Sequence, residues 1–127
     1  MTLLEECTVA LGNSAIVLSK EETNKIFDNM TNIFPISSWG RIDWANVKRV
    51  EKISSSHDIS KYINNSMEDV YILWSDANLP SIKTNLSNIL NSIDDVTAVT
   101  FDTWLYNPNN KCVIEFYHEG EITIGWM

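Results

Sequence analysis

Histidine, cysteine, glycine and proline are all scarce in this chain, and each shortage removes a class of chemistry. The 127 residues include two histidines, two cysteines, four glycines and three prolines. Cys7 and Cys112 have no Cys-x-x-Cys or Cys/His spacing around them, so no zinc or redox motif is written here. Four glycines do not supply a phosphate-cradling loop. Ser56, His57 and Asp58 are adjacent, whereas nucleophilic triads converge from separated positions. His118 falls on the inner parity of a strand end and reads as a structural histidine. Glu115, His118 and Glu119 resemble a ligand cluster only until strand alternation is applied, which puts the glutamates on one face and the histidine on the other. No catalytic residue, cofactor or metal is expected. A small enzyme using paired carboxylates, drawn from Asp94, Asp95 and Asp102, stays open as an alternative, as does an accessory subunit of a larger complex.

Positive charge is scarce too, and unevenly so. The net charge is −8, with 17 Asp/Glu against 9 Lys/Arg. Residues 1–67 hold eight acids and seven Lys/Arg, for −1; residues 68–127 hold nine acids and only Lys83 and Lys111, for −7. Nucleic-acid binding needs a basic footprint that the chain lacks. An acidic half favours a basic protein partner and fast, salt-sensitive association. Long apolar runs are also missing, so no membrane span is expected. The Met-Thr-Leu-Leu-Glu-Glu start has neither a basic region nor an apolar run, so no signal peptide is expected. With two unpaired-looking cysteines, the expected setting is a reducing cytoplasm, and the expected free state a monomer.

An apolar fraction of 44% is ordinary for a folded domain, and the length suits one core spanning residues 1–127. Ser19-Lys-Glu-Glu22 is a capping box. It opens a helix near 20–34 whose stripe is Ile26, Phe27, Met30, Ile33 and Phe34, stopped by Pro35. Residues 2–11 fit a short helix or an edge strand, and Ala15–Leu18 a brief strand. Trp44, Val47 and Val50 suit a short helix after Asp43, and Val50–Ile53 the start of a strand. Arg41, Lys48, Arg49 and Lys52 beside Asp43 and Glu51 read as a solvated face or a pair of ion bridges. Asp69–Ser75 is apolar in both parities and reads as a central strand covered on both faces. Pro80 opens a second expected helix, near 79–93, with Leu79, Ile82, Leu86, Ile89, Leu90 and Ile93 buried. Asp94 and Asp95 then stand at its dipole-unfavourable end, a placement that helix stability does not explain.

Residues 98–106, 112–118 and 121–126 read as three strands joined by tight turns. With Asn107–Asn110 as a four-residue loop, Tyr106 faces Lys111, Trp104 faces Val113 and Asp102 faces Glu115. With Glu119–Glu121 as a three-residue loop, Phe116 faces Ile124. The inner face is then Phe101, Leu105, Ile114, Phe116, Ile122, Ile124 and Trp126. The outer face is Asp102, Trp104, Tyr106, Glu115, Tyr117 and Glu119. Asp102 opposite Glu115 is a like-charge pair, costing about 0.2–1 kcal/mol. Carboxylates mixed with exposed aromatics suit a docking face for a basic partner, unless another element of the chain covers them. The expected fold is α+β: a mostly antiparallel sheet with a C-terminal β-meander, packed by two main helices. The expected partner-binding residues are Asp102, Trp104, Tyr106, Glu115, Tyr117 and Glu119, with Asp94 and Asp95 extending the patch.

Ser38-Trp-Gly-Arg-Ile-Asp-Trp44, Val70-Tyr-Ile-Leu-Trp74, Asp102-Thr-Trp-Leu-Tyr106, Val113–His118 and Gly120–Trp126 give the chain a form that resembles the immunity proteins of bacterial contact-dependent growth inhibition (CDI) systems. The resemblance is one of size, charge and texture over about two-thirds of the length, and it carries no residue roles with it. It implies a cytoplasmic antitoxin, not an enzyme, that blocks the toxin domain of a delivered effector, commonly a nuclease.

Overall fold

The computed structural model describes residues 1–127. Seven strands form one sheet: β1 (Ile16–Val17), β2 (Arg49–Ile53), β3 (Asp69–Trp74), β4 (Ile82–Asn85), β5 (Thr103–Asn107), β6 (Cys112–Phe116) and β7 (Ile122–Trp126). Their spatial order is β1-β4-β3-β5-β6-β7-β2, and every neighbouring pair is antiparallel. The helices are α1 (Leu3–Leu11), α2 (Lys20–Ile33), α3 (Leu86–Asn91) and α4 (Ile93–Thr97), with 3-10 turns at Trp44–Asn46 and Ser56–Lys61. The protein is α+β, and β5–β7 form the expected meander.

Capping fixes where the helices begin. The Ser19 and Glu22 side chains each accept the other's backbone N–H at 3.1 Å, starting α2, and Thr2 and Glu5 do the same for α1. Residues 2–11 are therefore helical, the first of the two forms their sequence permits.

Two cores flank the sheet. On one face α1, α3, α4 and Ile59 bury Cys7, Leu11, Leu86, Ile89 and Val96 against Ile72, Trp74, Leu105, Ile114 and Ile124. On the other, α2 and the segment that follows it bury Met30, Phe34, Ile42 and Val47 against Leu73, Trp104, Tyr106 and Val113. The central strand β3 contributes to both, as its two-parity apolar sequence requires.

Four expectations need correction. First, the helix near 79–93 is a strand followed by two short helices. Ile82 and Thr84 are buried while Lys83 and Asn85 are half-buried, a period of two. Ile82, Leu86 and Ile89 still enter one core, which is why helical spacing fitted them. The break comes at Asn85, whose side chain accepts the Asn88 N–H at 2.8 Å and caps α3. Second, Asp94 and Asp95 lie in the first turn of α4, the favourable end for negative charge. Third, β5 begins at Thr103, so Phe101 is not core but 80% exposed. Fourth, both hairpins are shifted by two residues from the expected register. Trp104, not Asp102, faces Glu115, and Ile122, not Ile124, faces Phe116. Lys111 takes a positive φ of 51° in the first turn and Gly120 one of 96° in the second, and these turn geometries set the pairing. A two-residue shift preserves parity, so Phe116 is buried on the expected face.

Candidate functional site

The expected outer face is not a surface. Trp104, Tyr106 and Glu115 are buried beneath α2 and residues 34–47. Trp104 meets the Phe27 ring edge-on at 6.5 Å and Tyr106 meets Phe34 at 6.3 Å. The Tyr106 hydroxyl donates to Asn29 Oδ1 of α2, and burial raises its pKa. These three side chains hold the protein together and are closed to a partner.

Glu115 is the hub of that face. Its Oε1 accepts from Arg41 Nε at 2.9 Å and from Trp44 Nε1 at 3.3 Å; its Oε2 accepts from Trp104 Nε1 at 3.1 Å and from the Ile42 backbone N–H at 3.1 Å. Arg41 Nη2 adds a 2.8 Å ion pair to Oε1, and Arg41 Nη1 reaches Glu121 Oε2 at 3.0 Å. The guanidinium also stacks 3.9 Å above the Tyr117 ring centroid. Burial works against the Arg41 charge, but the bonds to Glu115 and Glu121 outweigh it and raise its pKa. Arg41 therefore belongs to an ion bridge, one of the two readings its sequence allowed. The like-charge cost assigned to Asp102 facing Glu115 does not arise, because Glu115 faces an indole donor.

The other expected residues collect at one end of the sheet, where β3 and β6 end and β5 and β7 begin; Asp102 is largely covered there, at 14% side-chain exposure. Asp102 Oδ1 accepts from the His118 backbone N–H at 2.8 Å and pairs with His118 Nδ1 at 3.0 Å, leaving Oδ2 without a bond. His118 is thus an exposed partner of Asp102 and not the inner structural residue expected of it. Its ring packs on Phe101 at 5.8 Å and on Tyr117 at 4.2 Å. Around them, Asp94, Phe101, Tyr117, His118 and Glu121 line one surface depression. Asp94, Asp95 and His57 line another. Glu119 is exposed in the Tyr117–Gly120 turn. Of the eight residues expected to bind a partner, Asp94, Asp95, Asp102, Tyr117 and Glu119 are gathered here; Trp104, Tyr106 and Glu115 are not.

Sequence reasoning missed three members of this end. Asp76 lies in the loop after β3 and shares a cavity of about 280 Å³ with Asp102, Phe27, Leu73 and Trp104. Trp39 is 81% exposed in the turn beside Gly40, which lines the same cavity. Phe101, expected in the core, is instead exposed here. Ile36–Gly40 reads as a turn in the sequence, and in the structure the Ile36–Ile42 bridge and a positive φ of 83° at Gly40 close the turn that carries Trp39.

The thiols offer nothing to this surface. Burial pushes the Cys7 thiol up to about 11, helped by Asp95, and the Cys112 thiol up to about 12 despite Arg49. No three His, Cys, Asp or Glu side chains converge to hold a metal ion, and no helix is long and apolar enough to cross a membrane.

No curated protein matches the chain. A family model does, over residues 1–125: that of the CdiI immunity protein, EcoliA0-like. The match spans both cores, the Glu115 hub and the acidic sheet end, and the chain belongs to this family of CDI immunity proteins.

Proposed function

We propose that this protein neutralises the toxin domain of a CDI effector by seating its acidic sheet end on a basic surface of that domain, and that the toxin is a nuclease. The observation that carries the reading is the clustering at one end of the sheet. Asp94 and Glu121 share a depression with Phe101, Asp95 lines the next one, Glu119 is exposed in the adjoining turn, and Asp76 and Asp102 line the cavity that Gly40 closes beside Trp39; Phe101 and Trp39 are 80% and 81% exposed. The nearby Arg41 is engaged internally by Glu115 and Glu121. Carboxylates around exposed aromatic rings form a docking patch of the kind that steers encounter electrostatically and buries apolar anchors at its centre. A nuclease presents a basic surface to nucleic acid, and an acidic protein competes for it. Membership of an immunity family favours binding over catalysis. The carboxylates of Asp76 and Asp102 on one cavity wall are the feature a small enzyme would use, but no nucleophile–base pair accompanies them.

The test is titration of the cognate toxin domain with wild-type protein and with Asp94→Lys/Glu119→Lys. Neither of these two exposed side chains makes an ion pair or side-chain hydrogen bond, so the fold should persist. One equivalent of wild-type protein should abolish nucleic-acid cleavage. The double variant should associate roughly tenfold or more slowly at low salt, with the gap closing as salt rises. Equal association rates at all salt concentrations would move the binding surface elsewhere.

A further inference from the structure

The cavity beside Asp102 has a shape and a lining that specify its occupant. One wall is apolar, formed by buried Leu73 and Trp104 and half-buried Phe27 between α2 and the sheet. Two carboxylates also line it, exposed Asp76 and largely covered Asp102, and no Lys, Arg or His is among the lining residues. Each carboxylate has one oxygen committed within the protein. Asp76 Oδ1 accepts the Asn78 N–H at 2.9 Å, and Asp102 Oδ1 holds His118. The other oxygen of each is unbonded. At about 280 Å³ the space falls just below the 300–1,000 Å³ typical of small-molecule sites, which suits one long side chain better than a cofactor.

Resting on the toxin-binding reading above, we propose that this cavity receives a single arginine or lysine side chain projecting from the toxin domain. The aliphatic stem would lie against Phe27 and Trp104, as long basic side chains cover apolar surface. The charged head would sit between the free oxygens of Asp76 and Asp102, with an aromatic face close by. Arginine fits better than lysine, because its planar fork can serve two carboxylates at once and is the less strongly hydrated cation. The cavity thereby turns a diffuse charge attraction into a defined register: exposed acids bring the toxin in, and this slot fixes where it stops.

Two variants isolate the slot. Asp76→Asn/Asp102→Asn removes both charges while keeping an acceptor for Asn78 and His118. Ala77→Phe, at an exposed lining position, obstructs the cavity without replacing a core residue. Both should keep the wild-type far-UV circular dichroism spectrum and melting temperature. Each should weaken the cognate toxin complex by about tenfold or more, mainly through faster dissociation, whereas rim reversal at Asp94 and Glu119 acts on association. Independently, n-propylguanidinium titrated into the free wild-type protein should give saturable NMR shifts at the Leu73–Ala77 amides and the Trp104 indole N–H. Neutral propionamide should not, nor should the cation in the Asp76→Asn/Asp102→Asn protein. If rim reversal weakens the complex and both slot variants bind like wild type, the slot proposal falls and the acidic-surface reading stands. If neither class of variant matters, the surface reading falls with it. If n-propylguanidinium binds but the slot variants leave toxin affinity unchanged, the occupant is a small free cation and not a toxin side chain.

Discussion

At Glu115, two indoles, a backbone amide and a guanidinium converge on one carboxylate with 1% side-chain exposure. Such a group has no oxygen to spare for a partner, and its value lies in tying residues 41–44 to the sheet. Removing one member of a buried ion pair strands the other, at a cost of about 3–5 kcal/mol. Glu115→Ala should therefore lower the stability measured by urea unfolding by about that amount, with an unchanged denaturant slope. Glu119→Ala, fully outside the network, should stay within about 0.5 kcal/mol. Near-equal effects of the two would mean that the hub does not hold the loop. A charge at an alternating strand position reads first as solvent-facing, which is why the sequence points Glu115 to a docking face. Yet Cys112-Val-Ile-Glu-Phe116 is apolar on both parities apart from Glu115 itself, the same sign that marked β3 as covered on both faces. The donors of Arg41, Trp44 and Trp104 are the complementary signal.

Among the elements, α2 was legible to within a residue because its stripe, cap and terminating Pro35 agree. The β5–β7 meander was legible in parity but not in register, since a two-residue slip leaves every side chain on the same face and only turn geometry distinguishes the alternatives. β4 was not legible: three isoleucine and leucine positions at 82, 86 and 89 satisfy a helix as well as a strand that runs into one. The covering of the outer face was the largest loss. It depends on residues 34–47 folding back over β6 and β7, a long-range contact with no local pattern. Gly125 is what allows that approach. A Cβ there would come within 2.5 Å of the Trp44 ring and 3.1 Å of Val47, so Gly125→Ala must displace the indole that bonds Glu115. Overpacking of this kind costs about 1–3 kcal/mol. The variant should lose that stability in urea unfolding and show altered Trp fluorescence in the native baseline. Wild-type stability would mean that the segment adjusts freely over β7.

Over the whole molecule, charge and topology act together. The −7 of residues 68–127 is spread along the sequence, but the strand order brings the loops after β3, before β5 and between β6 and β7 to one end of the sheet. Acidic residues separated by some forty positions thereby become one surface. The acidity was legible in the composition; its gathering at one sheet end needed the fold. The most direct test of this account is hydrogen–deuterium exchange of the protein free and saturated with its cognate toxin domain. Peptides covering residues 36–42, 75–79, 94–102 and 117–121 should gain protection on binding, while α1 and the β1 edge exchange as in the free protein. Protection confined to residues 3–17, with the acidic sheet end unchanged, would contradict it.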